Sequence, residues 1–259
     1  METPIYQIDA FTDRPFSGNP AAVCPLETWL EDSAMQNIAA ENNLSETAFF
    51  VKKSDHYELR WFTPAVEVDL CGHATLASAF VIMNYMEPST AELTFRTKSG
   101  ELTVKKAGDL FVMDFPSQPP VQCDAPADLM ASFDRKPIEI LRSDDYLVVF
   151  KDEDSVRNCT PDFERLKRLD LRGIIVTAPG RNVDFVSRFF GPRVGINEDP
   201  VTGSSHCTLI PYWSKRLRKE KLHALQVSKR GGELFCEMQG DRVLIAGKGV
   251  IYMKGTISL

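Results

Sequence analysis

No run of about 18 apolar residues occurs anywhere in the 259-residue chain, which excludes a membrane-spanning helix. Cysteine is sparse: Cys24, Cys71, Cys123, Cys159, Cys207 and Cys236 are scattered, with no Cys-x-x-Cys spacing. Disulfide scaffolds are short and thiol-dense, so reduced thiols in a cytoplasmic protein are expected. Positive charge is not in excess. A formal net charge of −6 argues against the electrostatic footprint of a nucleic-acid binder. The one basic stretch, Lys215-Arg216-Leu217-Arg218-Lys219-Glu220-Lys221, reads as a solvated helix end. The opening Met1-Glu2-Thr3-Pro4-Ile5 has no basic segment followed by an apolar one, so no secretory signal is expected. Low-complexity segments are absent as well.

What the chain has is an internal echo. Phe62-Thr63-Pro64 leads to Gly72-His73-Ala74, and Phe190-Gly191-Pro192 leads to Gly203-Ser204-Ser205. Gly100-Glu101-Leu102 answers to Gly232-Glu233-Leu234, and Gly108-Asp109 to Gly240-Asp241. The offsets are 131 from Gly72 to Gly203 and 132 for the other two glycine pairs. Two similar lobes of roughly 120–130 residues are therefore expected, with a ligand cleft between them. The stiff connector Pro116-Ser117-Gln118-Pro119-Pro120 sets the boundary, giving lobes 1–117 and 118–249.

Each half reads as short strands around one apolar helix. Ile5–Phe11, Ala48–Lys52, Tyr57–Phe62, Glu92–Arg96, Leu102–Lys106 and Leu110–Phe115 read as strands, rich in Val and Phe and mostly bounded by turn residues. Glu31 to Asn42 reads as an amphipathic surface helix. His73 to Met86 is apolar nearly all round and must be buried on all sides. Ser204 to Leu217 repeats it, with Pro211 as a possible kink. A curved sheet wrapped around each central helix follows: an α+β fold of two pseudo-symmetric lobes.

Polar residues gather where the two central helices begin. Gly72 and Gly203 precede them, and a helix start offers unpaired N–H groups suited to a carboxylate. Around the first lie Glu67, Asp69, Cys71 and His73; around the second, Glu198, Asp199, Thr202, Ser204, Ser205 and His206. Asp199 or Thr202 is a candidate N-cap. A third cluster, Glu41 to Val51, sets Glu46 at the entry to an apolar strand, where a carboxyl with a raised pKa can both take and return a proton. Metal binding by Cys71 and His73 with His206 and Cys207 is not expected, since neighbouring His206 and Cys207 diverge by about 100° on a helix.

Taken together, Asp9-Ala10-Phe11-Thr12, Gly18-Asn19-Pro20-Ala21-Ala22-Val23, Asn43-Leu44-Ser45-Glu46-Thr47, Phe62-Thr63-Pro64, Cys71-Gly72-His73-Ala74-Thr75 and Glu198-Asp199-Pro200-Val201-Thr202-Gly203-Ser204 resemble the PhzF family. These are phenazine-biosynthesis-like isomerases on the diaminopimelate epimerase fold, and the resemblance spans the whole chain. The wording Cys71 to Ala79 and Arg230 to Leu234 is most similar to the branch that includes the vertebrate members. The resemblance implies mixed β-barrels around central α-helices, with a last strand, 250–259, returning to the first lobe. It also implies a homodimer and an active site that needs no cofactor. It carries Glu46, His73 and Asp199 over as catalytic residues. Asn19, Gly72, Thr202, Gly203 and Ser204 are expected to bind the substrate, a small carboxylated metabolite.

The implied chemistry is proton transfer. Glu46 removes a proton from a carbon acidified by a carbonyl or diene and returns it elsewhere on the same face, moving a double bond. The helix-start amides and Ser204 hold the carboxylate. His73, beside a positive helix end, is expected to act neutral. Two alternatives stand beside this. Cys71 matches one of the paired cysteines of related epimerases, but Pro200-Val201-Thr202 supplies no second thiol, and a Cys71–Glu46 hybrid remains open. The other alternative is a non-catalytic scaffold on the same fold.

Overall fold

The computed structural model describes residues 2–259. It divides into two compact units: the chain through Asp114 together with Ala246–Leu259, and Phe115–Ile245. Among the described residues no helix is long and apolar enough to cross a membrane.

In the first unit a mixed sheet runs Gly249–Ser258, Glu2–Ala10, Asn19–Leu26, Glu46–Lys52, Tyr57–Phe62, Glu92–Thr97, Gly100–Ala107 and Leu110–Pro116. Two neighbours pair in parallel, Asn19–Leu26 with Glu46–Lys52 and Tyr57–Phe62 with Glu92–Thr97. The Glu46–Lys52 strand is buried from Thr47 through Val51 because both its faces are covered. The Gly72–Val81 helix packs against one side. On the other, Phe49 joins Met35, Ile38 and Ala39 of the Asp32–Asn42 helix.

The Gly72–Val81 helix is buried from His73 through Ala79, as its all-round apolarity requires. The single helix expected through Met86 instead ends as a π-turn over Ile82–Met86, closed by Glu87 N–H to Ile82 O at 2.7 Å. The sequence reading also passes over the strand Asn19–Leu26. It holds Pro20 and Pro25, which argue against a central strand in any sequence-based reading.

Gly18 leads into that strand. Its φ of +67° favours glycine, and an added Cβ would stand 2.2 Å from the Ala10 carbonyl oxygen. Gly18→Ala is expected to destabilise the protein by about 2 kcal/mol, read as a lower urea midpoint. An unchanged midpoint would show that the turn can relax.

The second unit builds its sheet from Val121–Gln122, Glu139–Arg142, Tyr146–Val149, Ile174–Pro179 and Phe185–Gly191. The free edge of Phe185–Gly191 is then shared. Ile196–Asp199 pairs with its end, Asp199 opposite Phe189, while Lys221–Gln226 runs parallel to its start, Gln226 opposite Ser187. That division brings Asp199 and Gln226 side by side. The Gly203–Leu217 helix holds Pro211 in its interior and buries Leu209, Ile210 and Trp213. Trp213 stacks on Phe185 and donates its indole N–H to Thr177 Oγ1 at 3.0 Å.

Each unit uses one kind of hairpin turn. Gly108 (φ +65°) and Gly240 (φ +62°) both take the left-handed conformation such turns require.

Candidate active site

In the first unit, three local devices aim side chains at one point. Asn43 ends the Asp32–Asn42 helix in a left-handed cap (φ 48°), and Asn42 Nδ2 donates to Thr47 Oγ1 at 3.1 Å. Between them the chain turns sharply, and Glu46 becomes the first residue of its strand. The parallel register sets Glu46 opposite Ala21, two residues from Asn19. The loop before Asn19 carries two non-glycine residues in left-handed conformation, Phe11 (φ 64°) and Phe16 (φ 69°), and Asp9 Oδ2 accepts from Phe16 N–H at 2.9 Å. Strain of this kind persists where surrounding structure enforces it, and here the loop delivers Asn19 fully buried.

Cys71 is the N-cap of the Gly72–Val81 helix and caps it with no side-chain hydrogen bond. His73, in the first turn, is 5% exposed. Its Nδ1 lies 3.2 Å from Asn19 Nδ2 and 3.5 Å from Cys71 Sγ. Its Nε2 lies 3.1 Å from Glu46 Oε2. That contact is close enough for charge attraction but lacks hydrogen-bond alignment, so both atoms are buried without a hydrogen-bond partner. A buried donor and acceptor left unpaired cost free energy unless a ligand completes them.

The expectation of a neutral His73 is overturned. Burial is the largest influence and acts to lower its pKa. The neighbouring Cys71 sulfur and Glu46 carboxylate outweigh it and hold the pKa well above that of an ordinary histidine. Burial also pushes the Cys71 thiol up to about 11. The physical reason is magnitude: a helix start carries roughly half a positive charge, against a full carboxylate charge in contact.

In the second unit, Gln226 is the organiser. Buried, it accepts from Thr202 N–H at 2.9 Å and donates to the Asp199 carbonyl at 2.9 Å and to Thr202 Oγ1 at 3.1 Å. Thr202 Oγ1 in turn donates to the Asp199 carboxylate. Thr202 is the N-cap residue of the Gly203–Leu217 helix, but no side chain caps that helix start. The N-cap role open to Asp199 or Thr202 is therefore filled by neither side chain, because the two bond each other. Ser204 sits half-buried in the first turn, where its Oγ accepts from Arg172 Nη2 at 3.1 Å. Arg172 is braced by Asp145 through contacts of 3.1 and 2.6 Å and lies over the Phe189 ring.

The structure thus gathers Asn19, Glu46, Gly72 and His73 in one cluster and Asp199, Thr202, Gly203 and Ser204 in another. Sequence reasoning missed Arg172, Gln226 and Asp145. Their contacts span 24 to 32 residues and rest on strand pairing that no local pattern announces. Among the described residues, one group can offer three metal donors: Glu46, Cys71 and His73. It differs from the set weighed on the sequence, since His206 Nδ1 is spent on the Thr202 carbonyl at 2.8 Å.

Residues 8–255 match the family model described as phenazine biosynthesis-like protein. An uncharacterized isomerase of Pseudomonas aeruginosa is 54% identical over the full length of both chains. The mouse phenazine biosynthesis-like domain-containing protein 1 is 43% identical, again over all of both chains. A crystal structure of a PhzF-family protein from Enterococcus faecalis superposes with a TM-score of 0.98 at 51% identity, covering both chains completely.

Proposed function

The chain belongs to the phenazine biosynthesis-like (PhzC-PhzF) family and shares its α+β, epimerase-like fold, and from that premise we propose that it is an isomerase working by proton transfer without a cofactor. The observation that carries the reading is the buried Glu46–His73 contact at 3.1 Å, in which neither facing atom has an aligned hydrogen bond. Such a pair can accept a proton, hold it and return it at short range.

The substrate is a small carboxylated metabolite with a C–H bond acidified by a carbonyl or diene. Glu46 takes that proton and the bonding pair shifts into the conjugated system, so one double bond moves. The same carboxyl then delivers the proton to a different carbon, and no redox change occurs. His73, its pKa raised by Cys71 and Glu46, stabilises the negative charge that develops. The Asn19 amide lies against the ring at Nδ1. In the second unit, the uncapped helix start at Gly203, with Ser204 and Arg172, suits a carboxylate. Asp199, held by Thr202, stands beside that helix start.

A second reading draws on Cys71, whose sulfur lies 3.5 Å from His73. A thiol and Glu46 on opposite faces of one carbon would give racemisation. Incubation of carboxylated dienes and amino acids with the protein in deuterated water, followed by NMR, separates the two. The isomerase reading expects a displaced double bond with unchanged chirality elsewhere. Loss of chirality dependent on Cys71, with no bond displaced, would overturn it.

A further inference from the structure

We propose that Glu46, Cys71 and His73 form an inhibitory binding site for a thiophilic divalent cation of the zinc class. One atom from each, a carboxylate oxygen, a thiol sulfur and a ring nitrogen, lies within 4.8 Å of the others. Proximity alone would not make a site. The second observation is that Glu46 Oε2 and His73 Nε2 are buried, face each other and have no hydrogen-bond partner, with His73 95% buried. Their separation of 3.1 Å is close to the roughly 3.3 Å between two donors bound tetrahedrally to one zinc at about 2.0 Å each. Cys71 Sγ stands on the Nδ1 side of the ring, so closure on the same ion takes a rotation of the Cys71 side chain or of the imidazole.

The donor set selects the ion. A single carboxylate with a nitrogen and a sulfur is a poor cage for magnesium or calcium, which prefer oxygen throughout. Sulfur, imidazole and carboxylate suit zinc or cobalt(II), and three protein donors leave a fourth position open. The ion displaces the thiol proton and the proton on His73 Nε2, both released to solvent, and occupies the atoms through which Glu46 and His73 would exchange a proton, so binding blocks isomerisation. The inhibition rests on the function proposed above; the binding does not.

The test is a titration of the intact, reduced protein with cobalt(II) chloride and then zinc chloride, without chelator. One cobalt per chain should bind with a near-ultraviolet thiolate-to-cobalt absorption band, and zinc should remove the band while excess magnesium leaves it. X-ray absorption at the zinc edge should then find one sulfur among nitrogen and oxygen neighbours. Cys71→Ser should abolish the band, and Glu46→Gln and His73→Gln should each weaken zinc binding by more than about tenfold. Cys123→Ser, which alters a half-buried thiol outside the cluster, should change nothing. The proposal is overturned by a wild-type protein that gives no band, by a sulfur count of zero or two, or by a band lost in Cys123→Ser. The band and the absorption edge use unaltered protein, so a variant that does not fold leaves the test intact. Stoichiometric zinc at the site without inhibition would instead sink the role of Glu46 in proton transfer and leave the metal site standing.

Discussion

Glu46→Gln should lower kcat by roughly a thousandfold, within the range of about 10²–10⁴ that a positioned general acid–base contributes. Ligand affinity should change little. The amide keeps the size of the carboxyl, and the strand that carries it is fixed by pairing to Asn19–Leu26 on one side and Tyr57–Phe62 on the other. A mere loss of packing would also lower kcat, so a second readout is needed. Glu46 helps hold the His73 pKa well above the ordinary histidine value against burial, which pulls the other way. Removing the charge takes away one of the influences that oppose burial, and the imidazole signals in NMR should titrate at lower pH in the variant. Near-normal turnover would end the assignment of Glu46 as proton carrier. Lost turnover with an unmoved His73 titration would mean that the two side chains are not coupled as their contact implies.

The sequence carried the central helix of each half clearly, because a segment such as Ala74-Thr75-Leu76-Ala77-Ser78-Ala79 has no polar face to show to water. It also carried the repeated hairpin, since Gly108 and Gly240 mark turns that need left-handed backbone. Glu46 at the entry to an apolar strand and His73 at a helix start are both legible in the sequence, but the balance of forces between them is not. The helix start lies beside His73 in the chain, whereas the opposing carboxylate stands 27 positions away. Arg172 and Gln226 were illegible for a related reason. Arg172 acquires meaning only once Asp145 and Ser204 meet it, and Gln226 only once the Phe185–Gly191 strand shares its edge between two neighbours. Local pattern predicts elements. Electrostatic character at a site comes from pairings between them.

His206 should make the second unit lose stability on mild acidification. The side chain is fully buried in the first turn of the Gly203–Leu217 helix, Nδ1 faces the Thr202 carbonyl at 2.8 Å, and the ring lies 5.9 Å from that of Phe185. Burial dominates and lowers its pKa from 6.5 to about 4; the hydrogen bond to Thr202 opposes this only in part. In the unfolded chain the same group protonates near its ordinary value. Between those two values the unfolded state binds more protons, so stability is full above about pH 6.5 and falls as pH drops toward about 4, by about 3 kcal/mol in all. Below that window this group causes no further loss. His73 has the opposite sign: its raised pKa contributes stability below the ordinary histidine value that is lost as pH rises through the folded one. Carboxylates such as Glu67, lowered to about 2 chiefly by its hydrogen bond from Arg60, act at still lower pH. Opening free energies from hydrogen exchange of the Gly203–Leu217 amides, measured between pH 4 and 7 and corrected for intrinsic exchange, isolate the effect. They should decline with acidification in the wild type and stay flat in His206→Gln, whose amide can still donate to Thr202 but does not titrate. Equal slopes in the two proteins would mean that the imidazole reaches water, or finds a hydrogen-bond partner for Nε2, before it must carry charge.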